Sequence, residues 1–369
     1  MNKFPAIPAA LALLVACGGG APAEVEWAAG APHLTVTVVD SIGMEIGDSN
    51  YVFGQIVAAA NLPDGSIAVM DLKQCAVLVY SSDGTFVRRV GRNGSGPGEF
   101  MMPSSMAFTP DGSMYVTDAM ARKVDFFDPA GAYTGCLEGF FPAAPAAIAA
   151  IDSGVIVGMK PEFEQNEDGM LMGFSLARWE GSIEPAVTYY SQMSPFDPEN
   201  LMASLGDNIF TFGVSRATGR VFRAPMSADE YLIECYEPDG TLYQTIEKPY
   251  TPVPKTPEEI EEERAMVEER MSASGAPPGM FSWDPDPDKY AIAGLFTDGQ
   301  DRLWVRRGWM DEVVFDVYDQ SGGLLFVATV QYDTEQTDQW QVLVDEEGIL
   351  AFSADPQDYP KLYVLQLQE

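Results

Sequence analysis

A pattern that occurs twice between residues 62 and 131 constrains the fold more than any other feature of this sequence. The segment LPDGSIAVMD at 62–71 returns as TPDGSMYVTD at 109–118, and a second apolar run with a second turn follows each copy. Matching glycines and aspartates lie 47 positions apart: Gly65 and Gly112, Asp71 and Asp118, Gly84 and Gly131. Short strands joined by Asp-Gly turns at this period predict the blades of a β-propeller.

Weaker copies of the pattern continue to the C-terminus, and the strand count favours six blades over five or seven. The predicted blades begin near residues 53, 105, 146, 208, 291 and 340. The last blade has only three strands, whereas the β-branched run at 34–39 has no hairpin partner nearby. We therefore predict an all-β, six-bladed propeller over residues 34–369, in which this N-terminal strand closes the last blade.

One segment, residues 255–275, does not fit a blade and predicts a helical insertion between blades four and five. Thr256 at the N-cap, Pro257 at the first helical position and Glu259 at the third form a capping box. The helix should run to about residue 271, with Ile260, Val267 and Met271 on one face and glutamates on the rest. We interpret the acidic face as solvated surface rather than as a partner site.

The N-terminus predicts export. Residues 1–16 have a short apolar run after Lys3 and form a candidate signal peptide, and Leu14-Val15-Ala16-Cys17 resembles the bacterial lipobox. That resemblance implies a lipidated Cys17, a flexible tether over 17–33 and a place in the cell envelope. Gly18 at the sorting position favours the outer membrane, facing the periplasm or the cell surface. An ordinary secretory signal with a coincidental cysteine is the alternative.

Composition restricts the partners. The chain has 55 acidic and 21 basic residues, a formal net charge of −34. Such a surface repels nucleic acid and anionic membranes, so membrane contact is expected through the lipid anchor only, and a monomer is expected. The cysteines left after processing, Cys75, Cys136 and Cys235, are odd in number and have no metal-ligand spacing, so we interpret them as buried thiols.

The glycine-rich segment GRNGSGPGEF at 91–100, followed by Pro103, separates the two clear blades. Together with strands that end in Val-x-Asp, it resembles the NHL-repeat six-bladed propellers, and most closely their bacterial envelope lipoproteins. The resemblance covers residues 53–131 and implies a ring that binds proteins, peptides or glycans; a few branches are lyases or lactonase-like hydrolases. We expect Asp71 and Asp118 to hold turn amides and Phe100 to wedge between blades.

Residues for catalysis are scarce. The single histidine, His33, lies at the edge of the tether, and no Gly-x-Ser-x-Gly elbow is present. We therefore assign no catalytic residue and expect a protein that is not an enzyme. The alternative is a divalent-metal-dependent hydrolase or lyase with carboxylates at the channel mouth, for which calcium is the candidate cofactor. Asp284, Asp286 and Asp288 alternate like half of a calcium loop but lack its turn glycine and distal Glu.

Binding residues are predicted on the face of the ring that carries the glycine-rich loop. Cations follow the second strands there, although the chain has few of them, and Arg and Trp are typical anchors of interfaces. Pairing with neighbouring acids is the competing interpretation. The predicted contact residues are Arg92, Phe100, Met101, Arg122, Lys123, Arg306, Arg307 and Trp309. The resulting hypothesis is a non-enzymatic, lipid-anchored platform for a protein, peptide or glycan.

Overall fold

The computed structural model describes residues 25–167, 169–197, 208–273, 284–310, 312–331, 340–353 and 359–368. They form a ring of six four-stranded blades, which confirms the predicted propeller. A 3₁₀ turn (Glu26–Ala28) and strand β1 (His33–Ile42) come first. Blade one contains β2 (Ile56–Asn61), β3 (Ile67–Asp71), β4 (Ala76–Tyr80) and β5 (Phe86–Val90). Blade two contains β6 (Pro103–Phe108), β7 (Met114–Asp118), β8 (Lys123–Phe127) and β9 (Tyr133–Glu138).

The later blades follow in chain order. Blade three contains β10 (Ala147–Asp152), β11 (Val155–Asn166), β12 (Gly169–Glu180) and β13 (Val187–Pro195). Blade four contains β14 (Phe210–Val214), β15 (Val221–Pro225), β16 (Tyr231–Tyr236) and β17 (Leu242–Lys248). The insertion consists of β18 (Val253–Pro254), helix α1 (Pro257–Ala273) and β19 (Asp288–Lys289). Blade five contains β20 (Ile292–Thr297), β21 (Leu303–Arg307), β22 (Val314–Tyr318) and β23 (Leu324–Gln331). Blade six contains β24 (Trp340–Val344), β25 (Ile349–Ser353), β26 (Leu362–Gln368) and β1.

The repeat in the sequence is also a repeat of backbone conformation. Gly65 and Gly112 have φ of 81° and 84°, the left-handed region that glycine adopts without steric cost. Cys75 and Arg122, also 47 positions apart, share the same unusual region with φ of 48° and 54°. Blades one and two therefore turn the chain in the same way at matching positions.

Strand β1 closes the last blade as predicted and also pairs with a strand of the neighbouring blade. It pairs antiparallel with β26 in blade six, with Val36 opposite Leu367. It pairs parallel with β23 of blade five as well, with Val36 opposite Val330, so blades five and six share one eight-stranded sheet. Val36 is fully buried between them. The N-terminal strand thus removes two open sheet edges at the point of closure.

The predicted flexible tether is partly folded. Residues 1–24, which include the predicted signal peptide and Cys17, lie outside the described residues, but the segment from Val25 onward packs on blades four and five. The ring of Trp27 lies 5.3 Å from that of Tyr231, and Ala28 is buried. The carbonyl of Pro32 accepts a hydrogen bond from Val327 N at 2.9 Å. The prediction of a tether extending to residue 33 was therefore wrong at its C-terminal end, because aromatic packing holds that part on the ring.

Helix α1 begins as predicted but buries a different face. Thr256 and Glu259 form the capping box, with Thr256 N donating to Glu259 Oε2 at 2.6 Å and Glu259 N donating to Thr256 Oγ1 at 3.2 Å. Among the helix side chains that the structure describes, residues 257–268, the best buried are Glu259 and Glu263, whereas the expected Ile260 and Val267 are only half-buried. Both glutamates pair with lysines at the base of the insertion: Lys289 Nζ lies 2.8 Å from Glu259 Oε1, and Lys255 Nζ 2.6 Å from Glu263 Oε2. Among the described residues no helix could cross a membrane.

Candidate functional site

The glycine-rich connection between β5 and β6 defines what we call the upper face of the ring, and Glu99 organises it. Glu99 Oε2 accepts a hydrogen bond from Gly96 N at 2.9 Å, and Glu99 Oε1 lies 2.7 Å from Arg92 Nη2. These donors, the Gly96 amide foremost, lower the pKa of Glu99. Phe100 is fully buried, and its ring would lie 2.2 Å from any Cβ at position 91. Gly91 is therefore required for the aromatic ring to enter the core.

Two buried aspartates tie the upper loops to the strands. Asp118 accepts hydrogen bonds from Met101 N at 2.7 Å, Met102 N at 3.1 Å and Ala121 N at 3.0 Å. Its carboxylate thus joins the end of the glycine-rich loop to the β7–β8 turn. In blade one, Asp71 accepts equivalent bonds from the backbone of Gly54, Gln55 and Gln74. Both carboxylates are fully buried and accept hydrogen bonds from backbone amides, so their role is structural.

Four exposed side chains extend from the two loops that Asp118 joins. We call them the Met–Arg patch: Arg92, Met101, Met120 and Arg122. Met101 is 42% exposed and Met120 is 55% exposed, and the side chain of Arg92 is 77% exposed. Exposed thioethers beside guanidinium groups suit a partner that offers apolar and acidic side chains.

Part of the predicted binding face is buried and must be corrected. Phe100 lies in the core between blades one and two. Lys123 is 8% exposed, and its ammonium lies 2.8 Å from the buried carboxylate of Asp125 and 3.3 Å from the Glu99 carbonyl. Neither side chain can meet a ligand in this arrangement, since each already has its partners inside the protein.

The predicted residues of blade five are also structural. Arg307 is 7% exposed, and its guanidinium binds the fully buried Asp316 through contacts of 2.6 to 3.1 Å. It lies 5.3 Å from the ring centroid of Trp27 and 5.5 Å from that of Trp309, which is itself buried. Arg306 is half-buried and donates to the Trp340 carbonyl of blade six at 3.1 Å. These residues join blades and the N-terminal segment, so the interpretation as ligand contacts was wrong for Arg307 and Trp309.

Sequence reasoning missed Met120. By the 47-residue period, Met120 is equivalent to Lys73 of blade one, and each follows the aspartate that ends the second strand of its blade. Turn residues after a buried, amide-holding aspartate point away from the sheet, so this position could have been predicted to be exposed. No role was assigned to this residue from the sequence.

The lower face carries a chain of polar contacts around the channel mouth. Arg216, in the first turn of blade four, lies 3.2 Å from Glu346 Oε2 of blade six, across the intervening blade. Asp345 then accepts hydrogen bonds from Asn61 of blade one through N at 2.8 Å and Nδ2 at 3.0 Å. Blades four, six and one are thereby joined below the channel.

Glu347 in the same turn lies where its ionised form is disfavoured, so its effect on stability should depend on pH. Burial first, then the neighbouring Asp345 carboxylate, raises its pKa to about 7. A raised carboxyl pKa means that ionisation costs the folded state, so this residue should lower the free energy of unfolding progressively as the pH rises from about 4.5 to about 7. We expect Glu347→Gln to melt near the wild-type temperature at pH 4 and above it at pH 8.

The matched control is Glu45→Gln, which removes the same charge from an exposed site and should give no such pH-dependent difference. Melting temperatures of the three proteins between pH 4 and 8 make the comparison. A Glu347→Gln difference that stays constant over this range would contradict the assigned cause.

The residues considered for a metal are dispersed. Within the described ranges no group of three or more His, Cys, Asp or Glu side chains could hold a metal ion. Asp284 binds Arg264 at 3.0 Å, and Asp286 accepts the amide of Asp288 at 2.9 Å. The three described cysteines are free thiols, with Cys75 and Cys235 buried and Cys136 half-buried.

A family model agrees with the fold over the first blades of the ring. Residues 48–154 match the protein family described as "6-bladed beta-propeller". No curated protein matches the chain. Similar solved structures include a protein described as exported from Bacteroides fragilis (10% identity, covering 91% of this chain and 100% of that chain, TM-score 0.48). Others are the PQQ-bound aldose sugar dehydrogenase from Streptomyces coelicolor (11%, 90% and 98%, 0.48) and a gluconolactonase from Xanthomonas campestris (13%, 89% and 98%, 0.45).

Proposed function

We propose that this chain is a non-enzymatic binding platform of the bacterial cell envelope that takes a protein or peptide on the Met–Arg patch. The observation that carries the proposal is the exposure of Met101 and Met120 on loops that a buried aspartate holds rigid. A rigid surface loses little entropy on binding, and methionine adapts to partners of varied shape. The guanidinium group of Arg122 adds bidentate donors for carboxylates, whereas that of Arg92 is already paired with Glu99 through Nε and Nη2.

The charge balance of the chain supports this choice of partner surface. With 55 acidic residues against 21 basic ones, exposed cations are scarce, and two of them extend from the patch. The negative potential of the rest of the surface should repel acidic partners and so favour their binding at the Met–Arg patch. An acidic, partly apolar peptide is therefore the expected ligand.

The anchor is proposed from the sequence around Cys17. Seven residues separate Cys17 from Val25, where the chain docks on the ring, so the eight Cα–Cα steps between them reach at most about 28 Å. The propeller should therefore lie close to the membrane that holds it. Gly18, at the sorting position after the cysteine, favours the outer membrane as that membrane. Incorporation of an alkyne fatty acid that depends on Cys17 tests this part of the proposal.

Selection of peptides from a random phage library on the purified protein tests the binding role. We expect enriched peptides with acidic and apolar side chains, and at least a tenfold loss of affinity in the double variant Met120→Ser, Arg122→Glu. Biolayer interferometry with the synthesised peptides measures the loss.

The control is Val87→Ser, Arg89→Glu, which makes the same kinds of change on the outer strand of blade one. It should bind the selected peptides as the wild type does. Peptides that bind the patch variant with undiminished affinity would remove the patch from the proposal, and the failure to enrich any peptide would overturn the binding role.

A further inference from the structure

A cleft of about 400 Å³ separates blades two and three, away from the Met–Arg patch. The face of blade three that looks toward blade two forms its wall, and the loop after β9 forms its rim. The volume is that of sites for small ligands. Neither the repeat nor the proposed platform accounts for it.

Polar groups line one end of the wall. Lys160 and Glu162 of β11 alternate on the same side of the sheet as Ser175 of β12, since Lys160 is paired with Ser175. Lys160 Nζ lies 2.5 Å from Glu162 Oε2, and Ser175 Oγ donates to Glu162 Oε1 at 2.6 Å. Thr188 and Ser191 of the outer strand add exposed hydroxyl groups. The cleft therefore offers several donors and acceptors that are already oriented by one another.

Aromatic groups line the other end. Phe141 at the rim is 68% exposed, the most exposed aromatic ring among the large exposed hydrophobic residues of the described chain. Behind it, Phe140 and Trp179 are buried and meet edge to face with ring centroids 6.1 Å apart. A rigid floor thus supports a solvent-facing ring, which is the arrangement of a stacking platform.

The charges of the wall restrict the ligand. Lys160 and Glu162 neutralise each other, so the wall presents no net charge to a ligand, and the exposed Glu184 at the lower rim repels anions. A ligand for this cleft must offer many hydroxyl groups, an apolar C–H face for Phe141, and no charge. Those are the properties of a neutral sugar.

We propose that the cleft between blades two and three is a binding site for a neutral oligosaccharide of about two sugar units. Phe141 stacks on one sugar ring, and Glu162, Ser175 and the hydroxyls of the outer strand bind the hydroxyl groups of the other. The site is separate from the Met–Arg patch, so either can fail without the other.

Titration of the purified protein with maltose, cellobiose and N,N′-diacetylchitobiose tests the site. Isothermal calorimetry and saturation-transfer NMR detect the binding. We expect saturable binding of at least one of them, in the millimolar range typical of a single small ligand with few anchors. Phe141→Ala should weaken that binding about tenfold, and Phe141→Tyr should retain it. Glu162→Gln should weaken the binding as well, because it replaces a carboxylate oxygen that accepts hydrogen bonds with an amide group that donates them.

Tyr133→Ala, which removes a partly exposed ring from the outer strand of blade two, is the matched control and should bind as the wild type does. Unchanged melting temperatures establish that the variants fold. The proposal is overturned if none of the three sugars binds, if Phe141→Ala binds as well as the wild type, or if trilysine or digalacturonate binds more tightly than the neutral sugars.

Discussion

Arg307→Met is expected to lower the free energy of unfolding by about 3–5 kcal/mol, the usual cost of leaving one member of a buried ion pair without its partner. Asp316 is fully buried and binds the guanidinium through both carboxylate oxygens. Tyr231 OH, at 3.1 Å, cannot neutralise the remaining charge. Methionine fills much of the volume between Trp27 and Trp309, so the loss should come from the charge rather than from a cavity. Urea unfolding followed by tryptophan fluorescence measures it.

The double variant Arg307→Met, Asp316→Leu supplies the decisive comparison. It removes both charges, and Tyr231 keeps its contact with Tyr318 OH at 3.0 Å. We therefore expect it to recover most of the stability that the single variant loses. Arg92→Met, which breaks an ion pair whose arginine side chain is 77% exposed, should unfold nearly as the wild type does. A double variant as unstable as the single one would show that packing, not the unpaired carboxylate, causes the loss.

The ring itself could be predicted because its signal is periodic and local. Asp-Gly turns require particular backbone conformations wherever they occur, and the φ angles of Gly65 and Gly112 agree to within 3°. Strand β1 was identified for a global reason, the missing fourth strand of blade six. Its second pairing with β23 could not be predicted, because it depends on how closely blades five and six approach.

The candidate site was less predictable, because exposure depends on neighbours that are distant in sequence. Arg307 stands at the end of β21, the position that Asp71 and Asp118 occupy in their own blades. Its partner Asp316 lies on the next strand, and the rings that enclose it come from residue 27 and residue 309. A cation placed just beyond a second strand therefore looks like a surface residue in the sequence and is a buried one in the fold.

The same reasoning explains the misassigned face of helix α1. An isolated amphipathic helix buries its apolar residues, but this helix docks where Lys255 and Lys289 are already buried. Two buried ammonium groups need two carboxylates, and Glu259 and Glu263 supply them one turn apart. Among the described residues, none of helix α1 belongs to the apolar clusters of the ring. Ion pairs rather than apolar burial should therefore hold this helix in place.

Lys289→Met is consequently expected to release the helix without unfolding the ring. Glu259 would lose a cation 2.8 Å away while 5% exposed, at a local cost of about 3 kcal/mol. Amide hydrogen exchange over residues 257–268 should accelerate roughly a hundredfold, and the blade amides should be unaffected because the insertion opens on its own. In Lys289→Met, Glu259→Gln the buried charge is gone while the amide side chain still accepts the Thr256 N–H, so protection should largely return. Equal acceleration in the helix and the blades would mean that the insertion unfolds with the ring, and the ion pairs would then stabilise the propeller as a whole.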